Sequence, residues 1–194
     1  MFKSSFVVSC LLYISLSATS QVRLSQASPD KQVALNFQLN ENGTAQYAVT
    51  YKGSPVVKPS NLGFRLAEPL LTLNQFDIVS IDSSEMNTSW APVWGETKQI
   101  NDHHKLLLLK LASKGKEKIQ VNIYFRLYND GLAFRYEFPT QPGLMHFIIA
   151  DELTGFAMTG DHKAFWIPGD YDTNEYGYYN SNLSGIDASG GSFA

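Results

Sequence analysis

The stretch Tyr124-Phe125-Arg126-Leu127-Tyr128-Asn129-Asp130-Gly131-Leu132-Ala133-Phe134-Arg135-Tyr136-Glu137-Phe138 decides the fold. Leading into it, Ile119, Val121, Ile123, Phe125 and Leu127 alternate with Lys118, Gln120, Asn122, Tyr124 and Arg126. Past its middle, Leu132, Phe134, Tyr136 and Phe138 alternate with Ala133, Arg135 and Glu137. A period of two is what a strand needs when one sheet face is buried and the other is wet. The intervening Asn129-Asp130-Gly131 tolerates the left-handed dihedrals of a tight reversal. The reading is a β-hairpin, and it predicts a chain that is mainly antiparallel β.

Working outward, Val33, Leu35, Phe37 and Leu39 repeat the alternation, Glu41-Asn42-Gly43 turns the chain, and Ala45, Tyr47, Val49 and Tyr51 return it. Val56-Val57 and Phe64-Arg65-Leu66 read as short strands. Phe76, Ile78 and Ile81 hint at one or two more, and the polar residues 82–89 read as a loop. After a strand candidate at Lys98-Gln99-Ile100, Asn101-Asp102-His103-His104 reads as a polar corner. The continuous apolar run from Leu106 to Leu111 predicts a strand covered on both faces. Residues 145–149, 156–158 and 164–167 read as further short strands. No segment keeps a helical period for more than a turn or two, so the expected fold class is an all-β, antiparallel β-sandwich.

A chain of 194 residues suits one sizeable domain. The formal net charge of −3 and the absence of any Lys/Arg run argue against a nucleic-acid or anionic-membrane surface. Lys3, the apolar run from Phe6 to Leu16, and Ala18-Thr19-Ser20 have the form of a secretory signal over residues 1–20, cut before Gln21. The run is shorter than the roughly 20 residues that cross a bilayer, so no membrane span is expected. Cys10, the single cysteine, would leave with that leader, and the mature chain 21–194 would then hold no disulfide.

Several residues carry possible chemistry. Asp102-His103-His104 admits a metal site or a general base, but adjacent strand side chains point to opposite faces, and hydrogen-bonded imidazoles are the favoured reading. Asp151-Glu152 offers two carboxylates of the kind that cleave glycosidic bonds, yet they too should diverge, as in a solvated turn. Trp90, Trp94 and Trp166 could stack on sugar rings, though aromatics of a sandwich are more often core. The end of the chain differs: Tyr171, Tyr176, Tyr178 and Tyr179 sit among Asp170, Asp172 and Glu175 without strand alternation. That mixture suits a carbohydrate-facing loop or a surface that docks on another domain. No phosphate loop, nucleophile elbow or zinc-spaced histidine motif is present.

Four motifs, in order, resemble one family: Asn61-Leu62-Gly63, Trp90-Ala91-Pro92-Val93-Trp94-Gly95-Glu96, the hairpin from Phe125 to Phe138, and Phe165-Trp166-Ile167-Pro168-Gly169-Asp170-Tyr171. They resemble the N-terminal domain of glycoside hydrolase family 97, most nearly the periplasmic α-glucosidases of starch-utilising Bacteroidetes. The resemblance runs from about Leu24 to Leu183. It implies a galactose-mutarotase-like super-sandwich at 21–194, incomplete at its C-terminal end, that serves a catalytic (β/α)₈ barrel outside this sequence. The family cleaves α-linked glucosides or galactosides and depends on calcium, with its catalytic carboxylates on the barrel, so the chain alone is expected to be inactive. Within Asp172-Thr173-Asn174-Glu175-Tyr176, Glu175 matches a glutamate that reaches from the sandwich to the calcium. The run Asn101-Asp102-His103-His104-Lys105-Leu106 departs from the family's usual Arg-Asn-His-Tyr-Asn-Glu-like pattern. The implied partners are an α-linked oligosaccharide and the barrel, and the implied location is the periplasm. A stand-alone carbohydrate-binding module and a fragment without function are the alternative readings.

Overall fold

The computed structural model describes residues 22–169 and 175–186. The leader expected at 1–20 lies outside them. In chain order the strands are β1 (Arg23–Ala27), β2 (Val33–Leu39), β3 (Ala45–Tyr51), β4 (Ser54–Asn61), β5 (Phe64–Glu68), β6 (Leu71–Leu73), β7 (Phe76–Trp90), β8 (Ile100–Ser113), β9 (Gln120–Leu127), β10 (Leu132–Glu137), β11 (Ile148–Glu152), β12 (Lys163–Trp166) and β13 (Tyr179–Asn182). One sheet runs β1-β2-β3-β4 and a second runs β10-β9-β8-β7. A smaller sheet is ordered β11-β5-β6, and β12 pairs with β13. The pairings are antiparallel throughout.

The two four-stranded sheets face one another across a single apolar core. Leu35, Phe37 and Tyr47 come from one side and Leu109, Val121, Ile123 and Phe125 from the other, all almost wholly buried. Phe125 sits where the layers meet, its ring centroid 6.4 Å from Phe37, 6.5 Å from Tyr47 and 5.7 Å from Phe134. Phe64 and Leu66 of β5 extend the core, with Phe64 edge-on to Tyr136 at 4.5 Å. The predicted alternation is therefore realised, with the inward members of β2 and β9 buried and the β-sandwich class correct.

The hairpin β9–β10 closes with the Tyr128 amide donating to the Gly131 carbonyl at 2.8 Å. Its turn uses no left-handed residue, contrary to expectation: among described non-glycine residues only Lys31 and Lys52 have positive φ, and Gly131 is not among the positive-φ glycines. The Asn129 side chain instead accepts from the Asp30 amide at 3.0 Å, tying this reversal to the β1–β2 turn. Where β10 ends, a side chain takes over: Gln141 Oε1 accepts from the Gln120 amide at 2.7 Å and its Nε2 donates to the Gln120 carbonyl at 2.9 Å. Left-handed glycine is required at Gly43 (φ +85°), whose carbonyl accepts from the Phe76 amide at 2.8 Å.

Several local expectations are corrected. Residues 82–89 and 101–104 are not a loop and a corner but opposite strands of one long hairpin, β7–β8, paired from Phe76↔Ser113 to Trp90↔Ile100. Backbone hydrogen bonding holds this ribbon even where neither face has a core to cover. Asp151-Glu152 belongs to β11 rather than a turn, and that strand begins at Ile148, not Met145. Residues 156–158 form only a bridge, Val57↔Met158. Strands β1 and β13 were not anticipated, because short edge strands need little apolar alternation.

Candidate functional site

Chemistry-bearing residues gather in two places, the β12–β13 ribbon with the segment leading into it, and the outer part of the β7–β8 hairpin. In the first, Trp166 stacks on Tyr179 at 5.1 Å between centroids, and its Nε1 donates to Ser181 Oγ at 2.9 Å. Phe165 points to the other side, as neighbours on a strand must, and is 71% exposed. The Asp161 carboxylate accepts from the Ser184 amide at 2.8 Å, from Ser184 Oγ at 2.7 Å and from Asn182 Nδ2 at 3.2 Å. These bonds hold its pKa below the usual carboxylate value, the Ser184 amide contributing most. The chain after β13 is thus fastened to the loop before β12.

Glu175 lies on the exposed segment that enters β13, beside the exposed rings of Tyr176, Tyr178 and Tyr179. Residues 170–174, which include Tyr171 and Asp172 of the predicted aromatic and acidic run, fall outside the described residues. Among the described residues no three His, Cys, Asp or Glu side chains converge as a metal site. Calcium takes six to eight oxygens, so a single carboxylate does not make a calcium site.

In the β7–β8 hairpin the two histidines separate. His103 Nε2 meets Glu85 Oε1 at 2.8 Å on one face, and that bond lowers the Glu85 pKa. The buried His104 meets Asp102 Oδ1 through Nδ1 at 2.5 Å on the other face, with its ring 5.0 Å from Tyr128. Their rings take separate carboxylate partners on opposite faces, and the hydrogen-bonded reading holds. Asp151 is ion-paired with Arg65, while Glu152 accepts from Thr154 Oγ1 at 2.6 Å, so these two carboxylates diverge as expected. The core reading of the tryptophans fails for Trp90 and Trp94, which are 53% and 90% exposed. Their place beside Pro92 and Gly95 at a hairpin end was the available signal. An apolar groove of about 520 Å³ is lined by Tyr47, Tyr51, Val57, Leu132, Phe134 and Phe156, with Asp130 as its acidic lining residue.

Comparison with known proteins completes the description. The family model for the glycosyl-hydrolase 97 N-terminal domain matches residues 27–193. The chain belongs to this family. It is similar to a retaining alpha-galactosidase from Bacteroides thetaiotaomicron, at 23% identity over 162 residues, covering 84% of this chain and 23% of that protein. It is also similar to structures of a glycoside hydrolase family 97 enzyme from Pseudoalteromonas sp. strain K8. For a variant of that enzyme the TM-score is 0.75 at 30% identity, over 81% of this chain and 24% of the other. Its complex with acarbose, and that of a second variant with panose, give 0.73 at the same identity and coverage. This family 97 domain therefore spans about a quarter of the length of the enzymes it matches.

Proposed function

We propose that this chain is the sandwich portion of a secreted, calcium-dependent α-glycosidase, and that it offers Glu175 as one calcium ligand at the wall of a pocket formed with a catalytic (β/α)₈ barrel. The observation that carries this reading is the match of this β-sandwich to one quarter of enzymes whose structures hold acarbose or panose. The paired carboxylates that glycoside hydrolysis needs would come from the barrel, because Asp151 and Glu152 are engaged in separate bonds. The division of labour follows: the sandwich presents, the barrel reacts. Glu175 would bring one carboxylate to the ion and so fasten the two parts together. Export to the periplasm rests on the leader reading.

Two measurements test this. The purified chain with calcium should release no p-nitrophenol from p-nitrophenyl α-glucoside or α-galactoside, and turnover would refute the division. In an enzyme joining this chain to its barrel, Glu175→Gln should lower calcium affinity and activity together. Calcium dependence identical to that of the unaltered enzyme would show that Glu175 is not a ligand.

A further inference from the structure

The turn between β2 and β3 holds the one Asn-Gly pair of the sequence, Asn42-Gly43. Glycine after asparagine leaves the linking amide nitrogen open to the preceding side chain, because no Cβ stands in the way. Once deprotonated, that nitrogen bonds to Asn42 Cγ, the Cγ–Nδ2 bond breaks, and Nδ2 leaves with the displaced proton as ammonia. Water then opens the five-membered imide at either carbonyl and leaves aspartate or isoaspartate at position 42.

The fold withholds the nitrogen. The Gly43 N–H donates to the Asn40 carbonyl at 2.8 Å. On either side of it, Asn40 Oδ1 accepts from the Asn42 amide at 3.0 Å and from the Thr44 amide at 2.9 Å. The Asn40 N–H completes the set by donating to the Thr44 carbonyl at 3.0 Å. Two other segments hold the glycine from outside the turn. Its carbonyl accepts from the Phe76 amide at 2.8 Å, and the Lys114 side chain lies over it, so that an added Cβ would fall 2.7 Å from Lys114 Cε. Thr44 bridges to Gln75, whose carbonyl accepts from the Lys114 amide at 2.9 Å. Three reversals of the chain, β2–β3, β6–β7 and β8–β9, thus meet at Gly43. Attack on Asn42 requires Gly43 to leave the Asn40 carbonyl, which means opening this corner first. Every bond named lies within the chain, so the protection does not depend on what packs outside it.

We propose that Asn42-Gly43 is a latent deamidation site, that the folded corner holds it closed through Asn40, and that a chain carrying isoaspartate there cannot rebuild the corner. Isoaspartate adds one methylene to the main chain between residues 42 and 43. With peptide geometry fixed, the Gly43 carbonyl then misses the Phe76 amide if the Asn40 bonds are kept. Time spent unfolded is in this way recorded in the covalent chain, whatever the fate of the glycosidase reading.

The purified chain, folded or in concentrated guanidinium chloride, is incubated at mildly alkaline pH, and its tryptic peptide 32–52 is followed by mass spectrometry. Deamidation of Asn42 should be at least about tenfold slower in the folded chain, because it must wait for local opening. Asn40→Ala, shown to be folded by circular dichroism, should close most of that gap. Ser28→Ala removes the hydroxyl that binds Asp30 and the Val33 amide in the β1–β2 turn, and should leave the slow rate unchanged. Equal rates in the folded and unfolded chain overturn the proposal, as does an Asn40→Ala rate no faster than that of Ser28→Ala. After deamidation in denaturant, dilution should return a native fraction depleted in isoaspartate relative to the starting mixture. A native fraction with the same isoaspartate share would overturn the claim that the corner cannot be rebuilt.

Discussion

Replacing Phe125 by alanine tests whether one core holds both layers. The ring is fully buried and lies within 6.5 Å of three other aromatic rings, Phe37, Tyr47 and Phe134. Truncating a buried phenylalanine costs about 3–5 kcal/mol from lost transfer energy and the cavity left behind. Each aromatic pair adds about 0.5–1.5 kcal/mol beyond area, which places this site near the upper end, at about 4–5 kcal/mol. Against a typical domain stability of about 5–15 kcal/mol, that is a large fraction. With a urea m-value of about 2 kcal/mol/M, the unfolding midpoint should fall by about 2 M. Urea titration followed by tryptophan fluorescence and by circular dichroism reads the shift, and both probes should move together. Phe165→Ala, a comparable deletion at an exposed ring, should change stability by less than about 0.5 kcal/mol. A midpoint shift under about 0.5 M for Phe125→Ala, or one equal to that of Phe165→Ala, would refute the reasoning that the sheets share a core centred on this ring.

Gly43→Ala should lose about 2 kcal/mol, because φ is +85° and a Cβ there would come within 2.8 Å of the Phe76 carbonyl oxygen. For a domain of this size differential scanning calorimetry should show Tm falling by about 4–8 °C. Glu137 accepts from Asn122 Nδ2 and Tyr124 Oη at 2.8 Å each, and these bonds, Asn122 first, pull its pKa below 4.5. A carboxylate whose folded pKa is depressed stabilises above its unfolded value and loses that contribution as pH falls through the folded one. The Tm difference between the unaltered chain and Glu137→Gln should therefore be present at pH 7 and shrink below about pH 4, and a difference that grows on acidification would refute the assignment.

The sequence made β2, β3 and the β9–β10 hairpin legible because each covers a core with one face, so burial imposes a period of two. It did not reveal β7 past Ile81 or β8 between Asn101 and Lys105. There the strands are bound by backbone pairing and exposed polar side-chain bonds such as His103–Glu85, the faces exchange polarity near Leu107, and residues such as Ser83, Ser84 and Thr88 carry no burial signal. Tryptophan burial was misjudged for the same reason, since a composition argument places Trp90 and Trp94 inside unless the hairpin that carries them outward is known. Glu175 had no signature in periodicity or spacing and came from family resemblance alone. The divergence of His103 from His104, and of Asp151 from Glu152, followed directly from strand geometry, which assigns neighbours to opposite faces whatever their chemistry.

The Gln141 amide that takes the place of a strand beside Gln120 has a consequence for how the chain is routed. A side-chain carboxamide offers an N–H donor and a carbonyl acceptor side by side, as a peptide unit does, and the second N–H of Gln141 donates to the Pro139 carbonyl at 3.1 Å, so it can terminate a ladder while the main chain departs for another sheet. That frees the polypeptide to cross from β10 toward β11 without stranding a polar backbone group at the crossing. Shortening the residue by one methylene, as in Gln141→Asn, would withdraw the surrogate, and hydrogen exchange at the Gln120 amide should quicken before any other position on β9 responds.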